Sequence, residues 1–177
     1  HRELGVTIVN VTHDQREALL VSDRIAIMDC GRVVQCGRGT EIYAEPATAF
    51  VAGFLGDPLL LEGDVVHTHG IRTLHCLGVA VTVPESVPLG KGVAVMRPER
   101  LRLLDPGEPR QHYDNNLPGE ILDSAFDGQG TFYQVLLDCG PTAAVHVPAA
   151  TNAKPHDVGA RVVVAWNAAD VPIVTQA

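Results

Sequence analysis

The pattern of apolar and polar residues along the chain changes character near Gly56. Before this residue, residues 6–12 ("VTIVNVT") form a nearly continuous β-branched run, which predicts a strand covered on both faces within a parallel sheet. The next stretch, "DQREALLVSD", predicts a helix, because Asp14 and Glu17 stand at the N-cap and N3 positions of a capping box. A strand followed by a helix indicates an α/β arrangement at the start of the chain.

The remainder of this first part predicts a hairpin and two short helices. "RIAIMD" and "RVVQCG" alternate apolar and polar positions on either side of Cys30 and Gly31, which is a hairpin signal. Helical segments are expected over residues 40–44 and 47–55, the second ending at Gly56.

After Gly56 the pattern is that of an all-β domain. Short apolar runs separated by Gly, Pro and Asn clusters predict strands at the spacing of a barrel, over residues 60–66, 79–83, 93–96, 132–137, 143–147 and 162–166. A polar stretch rich in Pro and Gly, residues 105–116, divides this part in two.

The two parts of the β region resemble each other. In the same order, "LEGDVV" matches "LPGEIL", "VTVPES" matches "VHVPAA" and "GKGVAV" matches "GARVVV". A duplicated β unit explains the order, because a lone small sheet cannot bury its apolar face and a second copy can cover it. The alternative is chance similarity between short Val-rich strands. Duplication predicts equivalent strands beginning at Leu61 and Leu117, with Gly63 and Gly119 at matching positions.

Composition and charge narrow the function classes. The chain has 177 residues, 46% of them hydrophobic and 19% charged, which is typical of a soluble globular protein. With 21 acidic against 13 basic residues and a net charge of −8, it lacks the basic surface that nucleic-acid binding needs, so no nucleic-acid partner is expected. The four cysteines are widely spaced, which favours a reducing cytoplasm over a zinc site or a disulfide framework.

The first part resembles the C-terminal end of the ATPase subunit of an ABC importer, of the kind that serves polyamine, iron, sulfate or sugar uptake. The residues that carry this resemblance are Thr12-His13-Asp14-Gln15, Glu17-Ala18, Ser22-Asp23-Arg24, Gly31-Arg32, Glu41-Ile42-Tyr43, Pro46 and the closing "FVAGFLG". The β part resembles the accessory regulatory domain called TOBE, an OB-like barrel, and "VAVMRPERLRLL" is similar to a characteristic strand and turn of that domain.

The resemblance implies a fold and a set of roles. The fold is an α/β remnant of a P-loop ATPase domain (residues 1–56) followed by an OB-like TOBE domain (residues 57–177) with two related units, about 57–104 and 117–177. By resemblance, His13 is expected to be the switch histidine that contacts the γ-phosphate. By this resemblance, ATP and Mg²⁺ are the expected cofactors of the intact protein and a membrane permease is its expected partner. A second copy of the chain and a small regulatory ligand in the barrel are further candidate partners. Its location is the cytoplasmic side of the cell membrane.

The phosphate-binding loop is missing from the sequence. No stretch fits G-x-x-x-x-G-K-[ST], and "PLGKGVAV" lacks both the upstream Gly and the following hydroxyl. We therefore expect the chain to be a fragment that neither hydrolyses nor tightly binds ATP by itself, although the intact protein is expected to be an ATPase.

Alternative interpretations stay open for each candidate. His13 also fits a structural position at a turn between a strand and a helix. "HTH" at residues 67–69, with His75 nearby, could form a metal cluster, but no carboxylate or thiolate is fixed by spacing and a solvated hairpin is favoured. For the whole chain, the alternative function is an independent small-ligand-binding β-barrel module in which the first 56 residues are only a scaffold.

An apolar strand without its neighbours is a template for pairing with another chain. We therefore expect a homodimer or larger assembly with residues near 6–11 or 50–55 in the contact. The alternative is a monomer in which this strand folds back on its own hairpin.

Overall fold

The computed structural model of the protein describes residues 5–149 and 154–176. The first part consists of α1 (Gln15–Val21), the strands β1 (Ile25–Asp29) and β2 (Arg32–Gly37), and the helices α2 (Gly39–Ala44) and α3 (Ala49–Phe54). The second part is built from β3 (Leu59–Thr68), β4 (Ile71–Cys76), β5 (Val79–Thr82), β6 (Gly90–Met96), β7 (Arg102–Leu104), β8 (Asn115–Phe126), β9 (Gly130–Leu137), β10 (Thr142–Pro148), β11 (Arg161–Trp166) and β12 (Ile173–Val174).

The helix α1 begins as the sequence predicts. Its N-cap is Asp14, whose Oδ1 accepts a hydrogen bond from the backbone N–H of Glu17 at 2.9 Å. The backbone N–H of Asp14 itself donates to Thr12 Oγ1 at 2.9 Å, so a threonine takes the place that the glutamate occupies in a full capping box.

The hairpin and the two short helices are also confirmed. Cys30 and Gly31 form the turn of the hairpin, and their φ values of 44° and 76° are both left-handed, as a two-residue hairpin turn of type I′ requires. One side of the hairpin packs on α2 and α3, and this first module has its own core, whose buried members are Ile25, Ile27, Ile42, Val51 and Leu55.

The prediction of a buried strand at residues 6–12 is wrong. This segment has no regular secondary structure, and Ile8, Val9 and Val11 are 66%, 86% and 94% exposed. A parallel strand needs partner strands for its N–H and C=O groups and helices over both faces. The described residues provide neither at this place, so high β-propensity alone does not make a strand here.

Two five-stranded antiparallel sheets with the same internal order form the second part. The strand orders are β5-β4-β3-β6-β12 in one sheet and β10-β9-β8-β11-β7 in the other. If the strands of each half are numbered along the chain, both sheets show the same spatial order: third, second, first, fourth. The last strand is exchanged: β7 follows β6 but pairs with β11, whereas β12 follows β11 but pairs with β6.

The predicted equivalence of the strands beginning near Leu61 and Leu117 agrees with this topology. Both residues are third in their strands, and both lie two positions before a glycine pressed against the neighbouring strand. A Cβ on Gly63 would stand 2.2 Å from His75 O, and one on Gly119 would stand 2.7 Å from Leu136 O. Each half therefore requires glycine at this crossing.

The register of the fourth strands differs from the sequence match. Leu61 pairs with Ala94 and Leu117 pairs with Val164, so residues 92–96 correspond to 162–166. The match of "GKGVAV" with "GARVVV" is one residue out of register, because runs of valine align almost equally well in either frame.

One apolar core is shared by the two sheets. It includes the inward side chains of β3, β4 and β6 from one half and of β8, β9 and β11 from the other, with Trp166 only 2% exposed. Because each sheet covers the apolar face of its partner, the halves cannot be separated without exposing both faces.

Candidate functional site

His13 lies at a bend immediately before the N-cap of α1 and is exposed. It is therefore open to a ligand from outside. The γ-phosphate contact that the resemblance assigns to this residue stays a prediction, and the sequence has no phosphate-binding loop of the form G-x-x-x-x-G-K-[ST].

A buried arginine joins the first module to the barrel. Arg97 follows β6 and is only 4% exposed. Its Nη1 donates to Leu55 O at 2.6 Å, its Nη2 donates to Tyr43 O at 2.9 Å, and its Cζ lies 3.6 Å from the centroid of the Tyr43 ring. Arginine is the side chain that combines coplanar N–H donors with a flat cationic face able to stack on an aromatic ring.

The two carbonyls that Arg97 binds lie at helix ends. Tyr43 is in the last turn of α2, and Leu55 is the C-cap of α3. Neither helix has a basic residue in its own last turn. Because the last carbonyls of a helix have no partner inside the helix and carry partial negative charge, Arg97 supplies from the barrel the hydrogen bonds and the cation that both ends need.

Two further hydrogen bonds complete this joint. The hydroxyl of Tyr43 donates to Glu99 Oε1 at 2.7 Å, and burial, followed by the neighbouring Glu99 carboxylate, raises the pKa of the Tyr43 phenol. The backbone N–H of Gly56 donates to Gln15 Oε1 at 3.1 Å. We call Gln15, Tyr43, Leu55, Gly56, Arg97 and Glu99 the Arg97 joint.

The local sequence explains why Arg97 faces this way. It precedes Pro98, which favours the extended backbone observed (φ −87°, ψ 140°), and Pro98 then starts a 3₁₀ turn, Pro98–Arg100. Strand β6 is buried on both faces from residue 92 onward, because one face belongs to the barrel core and α3 contacts the strand. The strand thus ends directly beneath the ends of α2 and α3.

A second buried polar group lies inside the barrel. Asn115, the first residue of β8, is 5% exposed. Its Oδ1 accepts from the N–H of Thr82 at 2.6 Å and its Nδ2 donates to Thr82 O at 2.9 Å, so the side-chain amide acts as a strand partner for the edge strand β5. Sequence reasoning missed Asn115, since its role depends on a residue in the other half.

The histidines near the first barrel hairpin are not gathered into a metal site. His67 Nδ1 lies 3.8 Å from Glu85 Oε2, whereas the His75 ring interacts with Thr73 Oγ1 at 3.0 Å. His69 occupies the turn with φ of 54°. Over residues 5–149 and 154–176 no group of three His, Cys, Asp or Glu side chains has the arrangement of a metal site.

A cavity of about 300 Å³ lies beside the Arg97 joint. It is lined by Glu99, Leu101, Arg102, Leu103, His146, Val147 and Pro148. Its wall is mainly apolar, and Glu99 belongs to both the cavity and the joint. Sequence reasoning predicted a small ligand in the barrel without a location, because these residues come from strands of both halves.

Comparison with known proteins shows what the chain is similar to. The family model described as "TOBE domain" matches residues 94–173. The chain is 39% identical over 141 residues, 78% of its length, to the spermidine/putrescine import ATP-binding protein PotA of Ruegeria pomeroyi, and 36% identical over 173 residues, 94% of its length, to PotA of Rubrobacter xylanophilus. The resemblance to the C-terminal part of an ABC importer ATP-binding subunit is confirmed.

These relatives are much longer than the chain. The aligned regions make up 37% and 44% of their length. Among solved structures, the cytoplasmic molybdate-binding protein ModG in its molybdate-bound form matches with a TM-score of 0.54 and 16% identity, over 66% of this chain and 95% of ModG. This likeness shows a shared OB-like fold.

No helix within the described part of the chain is both long and apolar enough to cross a membrane.

Proposed function

We propose that the chain is the C-terminal part of the ATP-hydrolysing subunit of an ABC import system. In this proposal residues 1–56 belong to the P-loop ATPase domain and residues 57–177 form the TOBE regulatory domain, with its two related units at about 57–104 and 117–177. The permease, a second copy of the subunit and the inner face of the cell membrane are the proposed surroundings of the intact protein.

The similarity that runs across both parts of the chain supports this proposal. It covers 94% of the chain in one relative named as an import ATP-binding protein, so it includes the first module as well as the barrel. The buried Arg97 joint agrees with it, because residues of the two parts that resemble the family, Tyr43 and Arg97, meet there.

His13 has one proposed role in the intact subunit. An exposed imidazole before a helix can donate a hydrogen bond to a γ-phosphate oxygen and help to position the attacking water. ATP and Mg²⁺ would supply the phosphoryl group and the charge neutralisation of that reaction. His13 is the ATP contact that this chain offers, and we assign no Mg²⁺ ligand within it.

The alternative function, an independent small-ligand module, is supported less. The cavity of about 300 Å³ favours it, as does the fold shared with a molybdate-binding protein. It leaves unexplained why the similarity to import ATPases extends through the first module.

ATP hydrolysis by the complete subunit, compared with this chain, tests the proposed function. We expect Mg²⁺-dependent hydrolysis by the complete subunit and neither hydrolysis nor micromolar ATP binding by residues 1–177, because positioning and charge stabilisation dominate phosphoryl transfer and one histidine supplies little of either. Micromolar ATP affinity of this chain in a calorimetric titration, or an inactive complete subunit, would contradict the proposal.

A further inference from the structure

We infer that the Arg97 joint couples the barrel to the segment that carries His13, so that Arg97 is a positioning residue for the proposed γ-phosphate contact. The role given to His13 rests on the proposed function. The coupling itself rests on the contacts of the described residues and can be tested without nucleotide.

The coupling has three consecutive links. Arg97, which follows the buried C-terminal part of β6, donates a hydrogen bond to the carbonyl of Leu55 at 2.6 Å. The next residue, Gly56, donates its backbone N–H to Gln15 Oε1 at 3.1 Å. Gln15 is the first residue of α1, so this bond ends two positions from His13.

Gly56, between Leu55 and the bond to Gln15, has a restricted backbone conformation. Its φ of 84° lies in the left-handed region, and a Cβ there would stand 3.2 Å from Arg97 Nη1 and 3.5 Å from Tyr43 Cε2. One side of the turn between α3 and the barrel therefore lies against the joint, and we expect a displacement of Arg97 to reach the backbone of Leu55 and Gly56.

The correspondence between the two halves of the barrel supports a dedicated role for Arg97. Asn167 holds the equivalent position, since both residues follow the fourth strand and precede a 3₁₀ turn, with φ and ψ of −87° and 140° against −94° and 145°. The described α-helices all lie within residues 15–54, and α2 and α3 meet Arg97, not Asn167. The arginine therefore occurs in the half that faces the first module.

The cavity beside the joint shares a residue with it. Glu99 lines the cavity and accepts the Tyr43 hydroxyl at 2.7 Å. A molecule that entered the cavity and drew Glu99 away would remove one of the hydrogen bonds that hold α2 to the barrel.

Two optical probes can follow the barrel and the first module separately. Trp166, the single tryptophan, is buried in the barrel, and the described α-helices all lie within residues 15–54. In guanidinium titrations of the wild-type chain we expect Trp166 fluorescence and circular dichroism at 222 nm to change together, as one cooperative unit requires. In Arg97→Met the helical signal should be lost at lower denaturant than the fluorescence signal.

The environment of His13 gives the second readout. We expect the imidazole resonance of His13, assigned by its disappearance in His13→Gln, to shift in Arg97→Met and to stay in place in Asn167→Met, the matched control. If Arg97→Met does not fold, Arg97→Lys, which keeps the charge but loses the planar pair of donors, should show the same separation and shift. Coincident titrations or an unmoved His13 resonance in the Arg97 variant would overturn the inference. Neither result depends on whether the intact subunit hydrolyses ATP.

Discussion

At the scale of single residues, hydrogen bonds hold the buried polar side chains Arg97 and Asn115 in place. The buried guanidinium of Arg97 uses two nitrogens on helix carbonyls and its face on Tyr43. Asn115 satisfies both the N–H and the C=O of Thr82. Leaving such groups without partners costs about 1–3 kcal/mol each, which makes these positions intolerant of apolar replacement.

A surface ion pair predicts a pH dependence of stability. Arg161 donates to both oxygens of Asp138, at 2.9 Å and 2.6 Å, and these hydrogen bonds lower the pKa of the Asp138 carboxyl. Because the folded-state pKa lies below the unfolded one, the contribution is present above about pH 4 and is lost as the pH falls through the folded value.

Asp138→Asn should therefore flatten the decline of the free energy of unfolding below about pH 4. Urea titrations across this range measure the slope. Glu108→Gln, an exposed carboxylate in the polar stretch, serves as the control. A decline as steep in Asp138→Asn as in the wild-type chain would contradict the assignment.

At the scale of elements, the halves of the barrel impose the same constraint at the same place. The first strand of each half crosses its neighbour so closely that a glycine is required, at Gly63 and at Gly119. The contact at Gly63 is with a backbone carbonyl, which cannot swing away as a long side chain can.

We expect Gly63→Ala to destabilise the fold by at least as much as overpacking typically costs, which is about 1–3 kcal/mol. Gly119→Ala should cost less, since its Cβ would stand 2.7 Å from the nearest backbone oxygen instead of 2.2 Å. Gly107→Ala is the control, because a Cβ at Gly107 meets nothing within 4 Å and its φ is not in the left-handed region. Thermal unfolding ranks the variants, and a neutral Gly63→Ala would show that the strands can move apart.

The elements that were predicted correctly carry their signals locally. The hairpin around Cys30 and Gly31, the cap at Asp14 and the apolar runs of β6 and β11 are each specified within a few residues. The strand β4 was missed because "IRTLHC" mixes apolar and polar residues on a half-exposed surface. The exchange of β7 and β12 is decided by the partner sheet, which no local pattern records.

The candidate site likewise combines residues that the sequence reveals with contacts that it does not reveal. His13 and the motif residues Tyr43 and Arg97 are visible in the sequence through the resemblance. Their meeting is not, because 54 positions separate Tyr43 from Arg97 and the bond between them is purely tertiary. Residues 6–12 have the β-branched pattern of a strand but form none. A strand needs neighbouring strands to pair with, and the described residues do not supply them there.

At the scale of the whole molecule, the exposed apolar residues near the start of the chain predict association. Covering them with a second copy would remove apolar surface from water, at roughly 25 cal/mol per Å². We propose a homodimer with this segment, or residues 50–55, in the contact.

Light scattering at micromolar concentration tests the dimer. Ile8→Lys should disperse it, because a lysine amine cannot be buried without a partner. The control is Ile71→Lys, at an exposed isoleucine on the barrel that should leave the mass unchanged. A monomeric wild-type chain would rule out this proposal.

The turnover of ATP by the complete subunit carrying His13→Ala tests the account most directly. If the chain is the C-terminal part of an ABC importer ATPase and His13 contacts the γ-phosphate, turnover should fall by about 10²-fold or more while nucleotide binding is largely kept, because a contact to the reacting phosphoryl group acts mainly in the transition state. His112→Ala, at an exposed histidine of the barrel, should retain wild-type turnover. Unchanged turnover in His13→Ala would contradict the account.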